Sequence, residues 1–161
     1  MTDTLRSICE QCTHLINPQL DFIPSQLTRH KEIILRDLHE LVWVVSNEHE
    51  KACVMLAGGI LEAVLFSFLQ GQEKQIAFRR GSYTFNPDQS LQNYLDIFNK
   101  WFRRDFPNLE LPDMLVKCRN LVHFNQELSV PPDECRKAAL TLLRALDALI
   151  GDLSAYGRVA P

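Results

Sequence analysis

The sequence predicts an all-α fold, an antiparallel bundle of five to six helices, and three observations carry that expectation. Apolar residues recur at spacings of three, four and seven along most of the chain, the period of one helical face. The eight prolines fall between those periodic stretches, not inside them, where each would remove a backbone donor and clash with the preceding turn. Glycines number six, few for a chain built of short strands and Gly-rich turns. With 161 residues, 46% of them apolar and 23% charged, the chain has the size and composition of one globular domain.

Six segments carry the periodicity. The first, an N-terminal helix within residues 1–20, runs from about Asp3 to Ile16 and stops at Asn17-Pro18. The second starts near Ser25 and sets Leu27, Ile34, Leu38, Leu41 and Val45 on one face. Ser46-Asn47 interrupts the pattern, and Glu48 and Glu50 follow in the first turn of the third helix, where acids suit the helix dipole. That third helix reaches about Leu69 and is apolar nearly all round, so it should be central. Its stretch Ala52–Leu69 approaches membrane-span length, but Gly58-Gly59 and Glu62 interrupt it, and a carboxylate at mid-span is costly in lipid. A buried core helix is expected there, and no membrane partner.

Residues 71–89 read as a long loop with room for a short hairpin. Gly71-Gln72, Arg79-Arg80-Gly81-Ser82 and Asn86-Pro87-Asp88 are turn formers, and Tyr83-Thr84-Phe85 shows no helical period. A fourth helix covers about Ser90 to Arg103, with Leu91, Tyr94, Leu95, Phe98 and Phe102 on one side. The fifth begins at Pro112-Asp113 and passes through Leu115, Cys118 and Val122. The sixth runs from Pro131-Pro132-Asp133-Glu134 to about Ser154, with Lys137, Thr141, Arg144 and Asp147 opposite Leu142, Leu146, Leu149 and Leu153. No repeat or linker divides the chain, so residues 1–161 are expected to form a single all-α domain.

A net charge of −3 and a pI near 5.9 exclude wholesale attachment to nucleic acid or anionic membrane; only a local basic patch would serve. The first residues lack a basic, then apolar export signal, and five cysteines is an odd number. Reduced thiols in a cytoplasm are the expectation, with Cys53 and Cys118 as small core residues. Cys9-x-x-Cys12-x-His14 has zinc-like spacing but lies in a helical pattern without a second pair. No Gly-rich phosphate loop or Gly-x-Ser-x-Gly elbow is present, so neither metal nor cofactor is expected. His39-Glu40 and His49-Glu50 read as exposed helix surface.

Chemistry concentrates on the fifth helix. In Cys118-Arg119-Asn120-Leu121-Val122-His123-Phe124, Arg119 and His123 are four apart and lie one turn above each other, on the flank of the stripe of Leu115, Cys118 and Val122. A cation and an imidazole at the edge of an apolar face can line a groove or a subunit seam. The alternative is that Arg119 pairs with a carboxylate while His123 sits near a helix end. Glu62 is the second point. Its helical neighbours Met55, Gly58, Gly59, Leu65, Phe66 and Leu69 form an apolar setting that penalises an unpaired carboxylate, so it needs a partner, which a backbone group, water or a cation such as Lys51 would satisfy. Two glycines within a helix cost about 1 kcal/mol each, which makes sense where another helix packs closely.

A third feature is Lys100-Trp101-Phe102-Arg103-Arg104, with Arg79-Arg80 and Tyr83 upstream and Lys117 downstream. Basic residues interleaved with aromatics can hold phosphates and stack bases. From Glu73 to Arg119 there are eight Lys/Arg against six Asp/Glu, a local charge of +2. A solvated helix end beside core aromatics is the alternative.

The segment Leu115 to His123, ending Arg-Asn-Leu-Val-His, resembles the Arg-Asn-x-x-x-His helix of the HEPN superfamily of small all-α proteins. Ala57-Gly58-Gly59-Ile60-Leu61-Glu62-Ala63-Val64-Leu65 is similar to the central helix of HEPN-like bacterial proteins, in which a small-residue pair precedes Leu-Glu. The resemblance covers roughly residues 25–150. It implies a helical bundle that dimerises through the Arg/His helix, supplies Arg119 as a partner for Glu62, and in active members implies metal-independent RNA cleavage, of the kind found in toxin–antitoxin or phage-defence systems. In that chemistry His123 would assist proton transfer, Arg119 would stabilise the phosphorane charge and Asn120 would position them. Active members place four to six residues between Arg and His, whereas three separate Arg119 from His123. Val116 stands where some relatives carry a second Arg. The expected function is therefore a non-catalytic dimerisation or RNA/protein-binding module, with the ribonuclease as the alternative.

Overall fold

Among the residues that the computed structural model describes, 4–81, 83–121, 131 and 133–159, the chain forms eight α-helices and no strand. The first expected helix is two: α1 (Leu5–Gln11) and α2 (Thr13–Ile16). The chain leaves the helical conformation at Cys12 because Asp147, far away in sequence, accepts hydrogen bonds from the backbone N–H groups of His14 (2.8 Å) and Leu15 (3.1 Å). A carboxylate there caps a new helix start. Thr4 and Ser7 form a capping box at the head of α1.

After a 3₁₀ turn at Ser25–Leu27, α3 (Thr28–Ser46) buries Ile34, Leu38, Leu41, Val44 and Val45. The chain then folds back into α4 (Glu50–Gly71). Glu48 is not in the first turn of α4 as the sequence suggested. It sits in the link with φ 57° and turns its carboxylate onto α1, accepting from the N–H groups of Leu5 (3.2 Å) and Arg6 (3.1 Å). Glu50 does stand in the first turn, and Arg136 bridges the two acids at 3.5 Å and 2.9 Å.

Residues 73–80 are helical, contrary to the expected long loop. Helix α5 (Glu73–Arg80) buries only Ile76, so its sequence shows little periodicity, and Gly81 ends it in the left-handed conformation (φ 85°). The remaining elements are α6 (Leu91–Trp101), α7 (Met114–Asn120) and α8 (Glu134–Val159), the last running past the expected stop at Ser154.

Helix α4 is the centre, packed by α3, α6, α7 and α8. It is long and apolar enough to cross a membrane, but 61% of its most apolar 18-residue stretch is packed inside the fold. Near its C-terminal end, Phe68 is fully buried with its ring 5.0–6.4 Å from those of Phe22, Phe98, Phe102, Phe106 and Tyr156. These rings come from five segments, so this cluster ties the bundle together.

Candidate functional site

The adjacent glycines of α4 serve two different ends. A Cβ on Gly58 would lie 2.5 Å from Cγ and 3.0 Å from Cβ of Arg119, so the missing side chain is what lets α7 approach. A Cβ on Gly59 would meet nothing within 4 Å. The close packing expected of both therefore holds for Gly58 alone. Accordingly, Gly59→Ala should stabilise the protein by about 0.5–1 kcal/mol through lost unfolded-chain entropy. Gly58→Ala should destabilise it by about 1–3 kcal/mol, because α7 must shift. Denaturant unfolding of the two variants measures both, and equal effects would contradict this division.

Seated over Gly58, Arg119 donates through Nη2 to Glu62 Oε2 (3.1 Å) and through Nη1 to Asn120 Oδ1 (3.0 Å). Glu62, Arg119 and Asn120 thus form one hydrogen-bonded node between α4 and α7. The side chains of Glu62 and Arg119 keep 28% and 37% of their exposure. The apolar helical neighbours of Glu62 had suggested deeper burial. Several of them point around α4 into the core, while Glu62 stands at its rim, where solvent screens the pair to at most about 1 kcal/mol. On α7, Leu115 and Cys118 are buried and Lys117 is exposed. Burial pushes the Cys118 thiol up, with Glu134 adding to the effect. His123 and Val122 lie outside the described residues.

Glu62 also borders a cleft of about 440 Å³ between α3, α4 and the start of α6, which sequence reasoning did not find. His30, Phe66, Ser67, Gln89 and Tyr94 contribute to its lining. Ser67 donates its proton to the carbonyl of Ala63 (2.8 Å), so at His30 Nδ1 (3.1 Å) it accepts. Nδ1 of the neutral ring therefore carries the hydrogen and Nε2 is left as an acceptor. The Phe66 ring stands edge-to-face with Phe85 (5.2 Å) and Tyr94 (5.9 Å) and tilted against His30 (5.3 Å). Tyr94 donates to the carbonyl of Pro87 (2.9 Å), and burial pushes its phenol up, with the Glu62 carboxylate contributing. A sequence signal for His30 existed: it precedes Ile34 by four and Leu38 by eight, on the apolar face of α3.

The basic–aromatic cluster is partly self-satisfied. Arg79 donates to the carbonyl of Trp101 (2.7 Å), pairs with Asp105 (3.4 Å) and lies 5.6 Å from the centre of the Phe102 ring. Arg80 stacks at 6.0 Å over Tyr83 and Lys100 at 5.3 Å over Trp101. Lys100, Arg103 and Arg104 are exposed, and beside Arg79 the ring of Phe78 is 90% exposed. Reading this stretch as loop hid Phe78 from the sequence analysis.

Cys9 and Cys12 do not present a thiol pair to solvent. Both are buried, and burial pushes Cys12 up to about 12, with Asp147 reinforcing it. The His14 ring packs where a side chain on Gly151 would stand. No group of three or more potential metal ligands occurs among the described residues. His39 and His49 are exposed, the latter against the Trp43 ring at 6.1 Å. No family model, curated protein or solved structure matches the chain.

Proposed function

We propose that the chain is a non-catalytic, HEPN-like binding module that works as a homodimer in the cytoplasm, with the Arg119 helix at the subunit seam. The observation that carries this reading is the state of Arg119. Its guanidinium is already occupied by Glu62 and Asn120, and a carboxylate 3.1 Å away offsets the charge that a developing phosphorane would need. Such an arrangement holds a helix and an interface in register more readily than it stabilises a transition state. Met114, at the start of α7, is 53% exposed and offers an apolar contact on that helix. The resemblance to HEPN proteins supports the seam, and five free cysteines suit a reducing compartment. The second reading, a metal-independent ribonuclease, draws on the exposure that Arg119 retains.

Light scattering at micromolar concentration should give twice the chain mass of 18.6 kDa, and Met114→Glu should return it to 18.6 kDa. A monomer throughout that range overturns the dimer. With chelator present, the purified protein should leave structured and unstructured RNAs intact. Products ending in a 2′,3′-cyclic phosphate, lost by about 10²- to 10³-fold in Arg119→Ala and in His123→Ala, would replace this reading with the ribonuclease.

A further inference from the structure

We infer that the cleft between α3, α4 and the start of α6 is a binding site for a small aromatic amine in its ammonium form. Its size, about 440 Å³, falls within the range of small-molecule pockets, and much of its wall is apolar. The polar groups decide the class of ligand, because on Ser67, Tyr94, His30 and Glu62 the hydrogen-bonding capacity left over is on the accepting side. The hydroxyl protons of Ser67 and Tyr94 are spent on the carbonyls of Ala63 and Pro87. His30 has its Nδ1 hydrogen engaged on Ser67 and keeps Nε2 as an acceptor. Glu62 gives one carboxylate oxygen to Arg119, and the other makes no hydrogen bond among the described residues.

Gln89 adds a third group. Its side-chain oxygen is buried without a hydrogen bond among the described residues, a further unused acceptor at the cleft wall. Arg119, the cation of the neighbouring node, is taken up by Glu62 and Asn120. An anion entering the cleft would meet a carboxylate and an imidazole lone pair. An ammonium group would meet the same two as hydrogen-bond partners, while its ring packs against Phe66, Tyr94 and His30, where cation–π attraction adds to burial. The cleft lies on the Gly59 side of α4, whereas α7 packs on the Gly58 side, and Glu62 is the residue the two share.

Two probes that share a ring and differ in charge test this: tryptamine and indole-3-propionate, titrated calorimetrically into the full chain. Tryptamine should bind at least about 10-fold more tightly. Glu62→Gln keeps an acceptor for Arg119 but removes the charge, and should weaken tryptamine by about 10-fold while leaving indole-3-propionate no weaker, since the repulsion of its carboxylate is relieved. His30→Phe, which retains the aromatic wall, should weaken it as well. Circular dichroism melting and light scattering on each variant separate lost binding from lost folding or altered assembly. Equal affinity for the two indoles would overturn the proposal, because the cleft would then select for apolar surface alone. Absence of heat with both at millimolar concentration would also overturn it, as would tryptamine binding unchanged in a folded Glu62→Gln.

Discussion

Phe68→Ala is expected to lower the free energy of unfolding by about 3–5 kcal/mol, a large part of what a domain of this size has to lose. The side chain is fully buried, and its ring meets five others drawn from the segment before α3, from α6, from the turn after it and from α8. Truncation removes transfer free energy and leaves a cavity that five anchored rings cannot close by small shifts. Chemical denaturation measures the loss. A cost below about 1 kcal/mol would mean that the cluster repacks freely.

Iodoacetamide near pH 8 should modify the half-buried Cys135 long before Cys12 or Cys53. Burial, reinforced at Cys12 by Asp147 and at Cys53 by neighbouring thiols, pushes both from the ordinary 9.0 up to about 12. At that pH the reactive thiolate fraction falls by about 1,000-fold, before any steric shielding is counted. Intact-mass analysis should show all five cysteines reacting at similar rates once denaturant unfolds the chain. Early native-state labelling of Cys12 or Cys53 would contradict their burial. The same shifts set a pH dependence. Both thiols stay protonated in the fold while the unfolded chain ionises above pH 9, so stability present below pH 9 is lost as pH rises toward 12.

The parts of the candidate site differ in how far the sequence reveals them. Arg119 and His123 stand out as a spaced pair on the edge of an apolar stripe, with Asn120 next to Arg119 in the chain. Glu62 stands out as a carboxylate in a run that otherwise reads as core, and its need for a partner follows from desolvation alone. The extent of its burial does not follow, because helical neighbours say nothing about which face of α4 is left uncovered. The paired glycines show the same limit. Both look like sites of close approach, yet Arg119 packs on one and the other faces open space. His30 and Ser67 carried only weak signals, a histidine on an apolar face and a serine in an apolar run, and neither acquires meaning until α3 and α4 lie side by side.

Apolar periodicity and proline placement by themselves determined the helical class, the central place of α4 and most of the buried residues of α3, α6 and α8. These follow from local spacing, since a residue's face on a helix depends only on its position in the turn. The tertiary structure alone decided where the N-terminal helix breaks, through the hydrogen bonds of Asp147 to a segment more than a hundred residues away. It alone turned Glu48 from the head of its own helix to the head of α1, and made α5 a helix on the strength of one buried isoleucine and a glycine stop. The cleft beside Glu62 likewise exists only in the assembled bundle. Long-range caps and clefts are set by which surfaces meet, and the period of an isolated segment holds no information about its neighbours.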